Sequence, residues 1–347
     1  MSSQIPVTAF PTAEESLALQ VGLLDGDPAV EAWRKLSSVW RPDVAGLGWM
    51  APLLMANLRR LVPDDPWVIE NPHFLTLCQL KTGALTEFAQ RSLVALERGE
   101  VPTLALKGLA LGATVYSSPE LRTLSDLDIL VPRKDLFRAM AVLESSGFKS
   151  APGAPSTPAD LRRNHAHVFF SPRRHEPLID LHWHVLASAR ADEDDALFWK
   201  EARPLRVGKA DSLGLCAEDQ LLHVLLHGVR WTRVPHVRWV ADAVMILRAS
   251  GPQFRTERFV ETARRYDAVT PAREGLSFVV GLIGEGRSLL DALLGQKDSE
   301  FLARAFKARA TAYEDRTVAD RLYLRLEDIR WWARSAGVLK LRRTKET

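Results

Sequence analysis

Ser125-Asp126-Leu127-Asp128-Ile129-Leu130-Val131 is the stretch on which the reading of this chain turns. Leu127–Val131 is apolar except for Asp128, the pattern of a strand buried on both faces. On a strand, residues i and i+2 point to the same side, about 6–7 Å apart. Asp126 and Asp128 are therefore expected to converge. Two carboxylates that close, entering a core, are costly unless paired or metal-bound. Oxygen donors alone favour Mg2+ or Mn2+ over zinc. The plainer reading has Asp126 capping a turn and Asp128 meeting an arginine, and spacing alone does not separate the two.

The neighbours of this stretch have the same texture. Upstream, Pro102–Leu106 reads as a short strand ending at Lys107-Gly108, followed by a helix over Leu109–Tyr116. A glycine at a helix start permits close backbone approach, and helix N-termini accept phosphate through their N–H groups. Downstream, Lys134–Ser146 is an amphipathic helix closed by Gly147, and Phe148-Lys149 opens another strand. His165–Phe170 and Leu178–Val185 alternate as two strands across the turn-like Ser171–Pro177. The second carries a third carboxylate in Leu178-Ile179-Asp180-Leu181-His182. Two acids on one strand and a third on a neighbour, beside a glycine-opened helix, suit a metal and a phosphate.

On either side the period is helical. Ala13–Leu23, Ala29–Leu36, Gly46–Leu61 and His73–Glu97 carry apolar residues at three- and four-residue spacing, as do Ala217–Val229, Pro235–Arg248 and Thr256–Tyr266, with more helix expected to about Arg334. The expected fold class is mixed α+β: an N-terminal helical segment (1–98), a small α/β domain with a mixed sheet (99–190) and a C-terminal helical domain (191–347).

Composition narrows the function classes. Over 347 residues, hydrophobic residues make up 46% and charged residues 26%, enough to bury a core and too apolar for a disordered chain. Lys+Arg 46 against Asp+Glu 43 is too balanced for an obligate nucleic-acid binder. Only Cys78 and Cys216 are present, so neither a disulfide framework nor a cysteine zinc site is expected. No signal peptide and no apolar run of about 18 residues is evident, and the expectation is a cytoplasmic protein without a membrane span. Gly-x-Gly-x-x-Gly, P-loop and Gly-x-Ser-x-Gly motifs are absent from the sequence.

The histidines need separate weighing. His165 and His167, like His182 and His184, stand at i and i+2 and, with Asp180, could form a zinc site of a metal-dependent hydrolase. The preferred reading makes His182 and His184 donors that orient Asp180 or a substrate. His223 and His227 lie one helical turn apart without the Glu of a zincin helix, which suits packing or a substrate lining. Trp231, Trp239 and Trp331-Trp332 read as helix-packing residues. The basic end, Arg330–Arg334 and Leu339–Lys345, reads as a solvated helix end.

Taken together, Leu106-Lys107-Gly108, Leu121-Arg122, Ser125–Val131, Gly147-Phe148, Ile179-Asp180-Leu181-His182-Trp183, Leu221-Leu222-His223 through His227, Arg238-Trp239 and Asp242 resemble a bacterial branch of uncharacterised nucleotidyltransferase-like proteins. That branch belongs to the superfamily typified by DNA polymerase beta. The resemblance covers about residues 15 to 290. It implies a nucleotidyltransferase-type mixed sheet whose Asp126, Asp128 and Asp180 hold two Mg2+ (or Mn2+) ions against a nucleoside triphosphate, ATP being the expected donor. Asp180 would also assist deprotonation of the acceptor. Lys107, Gly108, Arg122 and Ser125 would contact the nucleotide. Leu109 stands where the superfamily usually has serine after the glycine, leaving Ser125, Arg122 or Lys107 to make that contact. His182, His184, His223, His227, Trp239 and Asp242 are implied as supporting or substrate-facing residues.

The expected activity is transfer of a nucleoside monophosphate to a hydroxyl of a small molecule, peptide or protein, with pyrophosphate release. No basic groove with interleaved aromatics suggests a nucleic-acid track. Two alternatives stand beside it: an inactive nucleotide- or partner-binding module, and the His/Asp hydrolase.

Overall fold

A computed structural model describes residues 10–40, 47–174, 176–186, 192–229 and 237–296, with a few isolated residues beyond. In chain order the helices α1 (Ala13–Leu23), α2 (Gly26–Leu36), α3 (Ala51–Leu61), α4 (Pro66–Glu70) and α5 (Phe74–Arg98) precede the first strand. Then follow β1 (Leu104–Ala105), α6 (Lys107–Thr114), β2 (Leu127–Leu130), α7 (Leu136–Ser145), β3 (Lys149–Ser150), α8 (Pro158–Arg163), β4 (Ala166–Phe170), β5 (Ile179–His182), α9 (Ala196–Glu201), β6 (Arg203–Val207) and β7 (Ala210–Gly214). The described chain closes with α10 (Ala217–Gly228), α11 (Arg238–Ser250), α12 (Thr256–Arg265), α13 (Val269–Ile283) and α14 (Arg287–Leu294). The fold is mixed α and β. The basic end, Trp231 and Trp331-Trp332 lie outside the described residues.

The chain divides into two compact units, one drawing on Met1–Leu75 and Leu221–Arg330, the other on Thr76–Gln220. The helical unit holds an aromatic cluster in which Trp33, Trp40 and Trp67 lie 5.5–6.2 Å apart, ring centre to ring centre. Asp65 sets it: one carboxylate oxygen caps α4 at Trp67 N (2.9 Å) and the other accepts the Trp33 indole N–H (2.7 Å). A buried tryptophan needs such a partner for its one donor.

The sheet unit is built on seven strands in the order β3-β4-β5-β2-β1-β7-β6. β2 runs parallel to β5 and β1 parallel to β7, while the other neighbours are antiparallel. The alternation of side chains gives the central strands two different faces. Leu127, Ile129, Ile179, Leu181 and Phe169 share one face and form a core with Leu93 and Leu96 of α5 and Leu136, Ala139 and Leu143 of α7. Asp128, Asp180 and His182 stand on the other face. Gly147 ends the α7 turn at φ 90°, a left-handed conformation that glycine takes without strain.

Two features depart from the sequence reading. α5, placed with the N-terminal helices, contributes its C-terminal half to the sheet unit's core, because Phe88, Ala89, Leu93 and Leu96 line one stripe. The sheet also continues past residue 190, where the α/β domain was expected to end. Arg203–Val207 buries only Leu205 and Val207, so its alternation is short and overlaid with arginine. The signal available was Gly208-Lys209, a two-residue turn with Gly208 at φ 59° between the paired strands.

Candidate active site

β2 and β5 lie side by side in parallel register, and Asp128 stands directly opposite Asp180. Asp128 is 2% exposed, whereas the Asp180 side chain keeps 23% of its surface. Leu106 N bonds to Asp128 O at 3.0 Å, so the chain leaves β1 at the level of the carboxylates and turns directly into α6. Lys107, at that turn, has φ 46°. An L residue takes this left-handed conformation at a cost of about 1–2 kcal/mol. Its ammonium donates to Asp128 Oδ1 at 2.5 Å and lies 4.0 Å from Asp180 Oδ2. From β5, the buried His182 Nε2 stands 3.1 Å from Asp128 Oδ1 and 3.1 Å from Asp180 Oδ2.

These four side chains determine one another's charge. Burial alone would raise the Asp128 carboxyl, but the His182 hydrogen bond and the Lys107 ammonium outweigh it and hold the group well below the usual carboxylate range. Asp180 is lowered in the same way: burial raises it, His182 outweighs burial, and Asp128 opposes the shift. Burial disfavours the charged imidazolium of His182, yet its bonds to both carboxylates raise it overall. Both acids are thus held toward the ionised form that a metal ligand requires.

Asp126 is not part of this group. Asp126 lies just ahead of β2, and the three groups whose donor atoms come together are Asp128, Asp180 and His182. The Asp126 carboxylate instead accepts from Ser125 Oγ at 2.8 Å. Arg122 is buried and its Nη1 donates to Thr123 O at 2.8 Å. A Cβ on Gly108 would lie 2.6 Å from Leu124 Cδ2 and 3.3 Å from Arg122 Nη1, so the glycine lets the guanidinium pack against the start of α6. Lys107, Gly108 and Arg122 therefore gather at one turn, beside the carboxylate pair.

Of the four histidines weighed for zinc, only His182 joins the carboxylates. Asp128, Asp180 and His182 each offer a donor atom within 4.8 Å of the others. His167 pairs with Leu181, which puts it on the core face, and its Nε2 bonds to Ser150 Oγ at 2.8 Å. The His165 ring lies 5.6 Å from that of His182. His184 stands beyond the end of β5, completely buried, with Nδ1 on Asp195; the other oxygen of Asp195 accepts from Val185 N at 2.8 Å. Sequence reading passed over Asp195, and its one signal was an acidic run, Asp192–Asp195, directly before a helix. It also missed that Lys107 and His182 both reach Asp128, because that contact depends on strand pairing.

The remaining candidates belong to the helical unit. His223 and His227 face each other on α10 with ring centres 6.3 Å apart. Trp239, on α11, is 3% exposed and packs against Gly228, Phe10 and Phe278, and Asp242 is equally buried.

Residues 52–284, more than half of the chain, match the sequence model of a family described as uncharacterised nucleotidyltransferase. No curated protein matches the sequence. Among solved structures, an antigenic nucleotidyltransferase-like protein from Paracoccidioides brasiliensis is 13% identical, with a TM-score of 0.42 over 61% of this chain and 94% of that one. The antibiotic-resistance factor ANT(2'')-Ia is 14% identical, with a TM-score of 0.35 over 62% of this chain and 96% of that one.

Proposed function

The chain belongs to the uncharacterised nucleotidyltransferase family, and from that premise we propose that it transfers a nucleoside monophosphate from a nucleoside triphosphate to an acceptor hydroxyl, releasing pyrophosphate. The observation that carries this reading is the register of Asp128 against Asp180 beside the Lys107-Gly108 turn.

Asp128 and Asp180 fit a divalent cation by donor type, ionisation and spacing, with His182 Nε2 beside them. Held there, such an ion (Mg2+ or Mn2+) would neutralise charge on the triphosphate during transfer. The chain's own groups account for the rest. Asp128, almost fully buried, has one task, to hold a fixed negative charge in place. Asp180 keeps part of its surface, so an acceptor hydroxyl can reach its carboxylate and be oriented by a hydrogen bond to it. Lys107 Nζ, the first amides of α6 and Arg122 supply positive character for phosphate oxygens at one turn. Asp126 and Ser125 stand just ahead of β2, where they serve as outer contacts to metal or phosphate. ATP is the expected donor, and a small molecule, peptide or protein the expected acceptor.

The hydrolase alternative has less support, since His167 and His184 are engaged elsewhere. The inactive-module alternative rests on Leu109 after Gly108. Calorimetric titration of the chain with each nucleoside triphosphate in Mg2+, together with an assay of pyrophosphate release, separates these. Binding that disappears in Asp128→Asn/Asp180→Asn supports the nucleotide site, pyrophosphate release lost in the same variant distinguishes the transferase from the inactive module, and a folded native chain that binds none of the four would overturn the transferase reading.

A further inference from the structure

Asp128 and Asp180 already carry a cation. Lys107 Nζ is in hydrogen-bond contact with Asp128 Oδ1, one of the two oxygens through which that carboxylate would hold a metal, and its side chain is only 21% exposed. Its backbone is strained at φ 46°, a conformation glycine would take freely. A strained residue persists where its surroundings over-determine it, and here the determinant is what the ammonium reaches. His182 Nε2 stands at the same two oxygens, Asp128 Oδ1 and Asp180 Oδ2, so both are shared between two donors.

We propose that Lys107 is the resident counter-ion of the Asp128–Asp180 pair, that a divalent cation binds only by displacing it, and that the released ammonium then becomes the phosphate contact at the start of α6. The inference rests on the reading of this pair as the metal site. An ammonium and a divalent ion repel each other strongly at such a distance away from bulk water, so both cannot hold one carboxylate oxygen. Lysine suits the exchange because its charge sits on a flexible four-carbon stem. The protein would thus keep a neutralised carboxylate pair in the absence of metal, and metal loading would present a cation to the incoming substrate. Lys107 in this scheme couples the two binding events.

Mn2+ binding, measured by calorimetry on the chelator-treated full chain without nucleotide, tests this. Lys107→Met is expected to bind Mn2+ at least about tenfold more tightly than the native chain, because no ammonium competes for Asp128. A second measurement needs no variant: in the native chain, reductive methylation of Lys107, followed by mass spectrometry, is expected to accelerate several-fold when Mn2+ is added. Should Lys107→Met fail to fold, the methylation rate decides alone. Equal Mn2+ affinity in both chains, or methylation that Mn2+ slows or leaves unchanged, overturns the counter-ion role and leaves the metal site standing. Absence of Mn2+ binding from both chains, with and without ATP, removes the metal site and the proposal together.

Discussion

Asp128 shows how differently a residue reads once its partners are in view. As a member of an Asp-x-Asp pair alone, its replacement by asparagine would relieve repulsion and stabilise the chain. In the folded protein it is the shared acceptor of Lys107 and His182, and is 2% exposed. Asp128→Asn therefore leaves two cations without their main counter-charge, and a loss of about 3 kcal/mol is expected from breaking a buried pair. Denaturant unfolding checks it, and transfer activity should fall by orders of magnitude in the same variant. The sequence singled out Lys107, Gly108, Asp128, Asp180 and His182, and the fold brings them together. That His182 contacts both acids was not legible in the sequence, because the contact depends on how β5 pairs with β2.

Between elements, single side chains act as joints. Asp65 caps α4 and accepts the Trp33 indole, so Asp65→Ala removes a cap and orphans a buried donor. A loss of about 2 kcal/mol is expected, read as a lower thermal midpoint. In the sheet unit, Arg91 of α5 pairs with Glu176, which also accepts from Ser171 Oγ at 2.6 Å in the turn between β4 and β5. Burial raises the Glu176 carboxyl, but Ser171 and Arg91 outweigh it and lower it from its ordinary 4.5. A carboxyl lowered by folding stabilises above its unfolded value, and the gain is lost as pH falls through the folded value. Native stability should accordingly drop more steeply than that of Arg91→Met below about pH 4.5, by up to about 1 kcal/mol for a partly exposed pair. Thermal midpoints of the two chains between pH 6 and 3.5 give the comparison. Most helices were legible from their period, and α1 matches its expected bounds. The β6–β7 hairpin was not legible, since five-residue strands with two buried residues each leave little pattern to read.

At the scale of the whole molecule, the site's chemistry should be visible in stability. A ligand that binds only the folded chain stabilises it by about 2.7 kcal/mol at a hundred times its dissociation constant. ATP with Mg2+ is therefore expected to raise the native thermal midpoint and to leave Asp128→Asn/Asp180→Asn unmoved; equal shifts in both would place the ligand elsewhere. Among the described residues no helix is long and apolar enough to cross a membrane. What the sequence by itself determined was local: helical and strand periods, a glycine-opened helix, three acids near apolar strands, and through these motifs the family. Those properties depend on residues within one or two turns of each other in the chain. Only the tertiary structure decided which charges meet. Parallel pairing of β2 with β5 sets Asp128 against Asp180 across 52 residues of chain, and the exit from β1 delivers Lys107 to them. Register sorts His182 to the site face and His167 to the core. A shift of one residue would have exchanged those faces, and no local pattern specifies the partner strand.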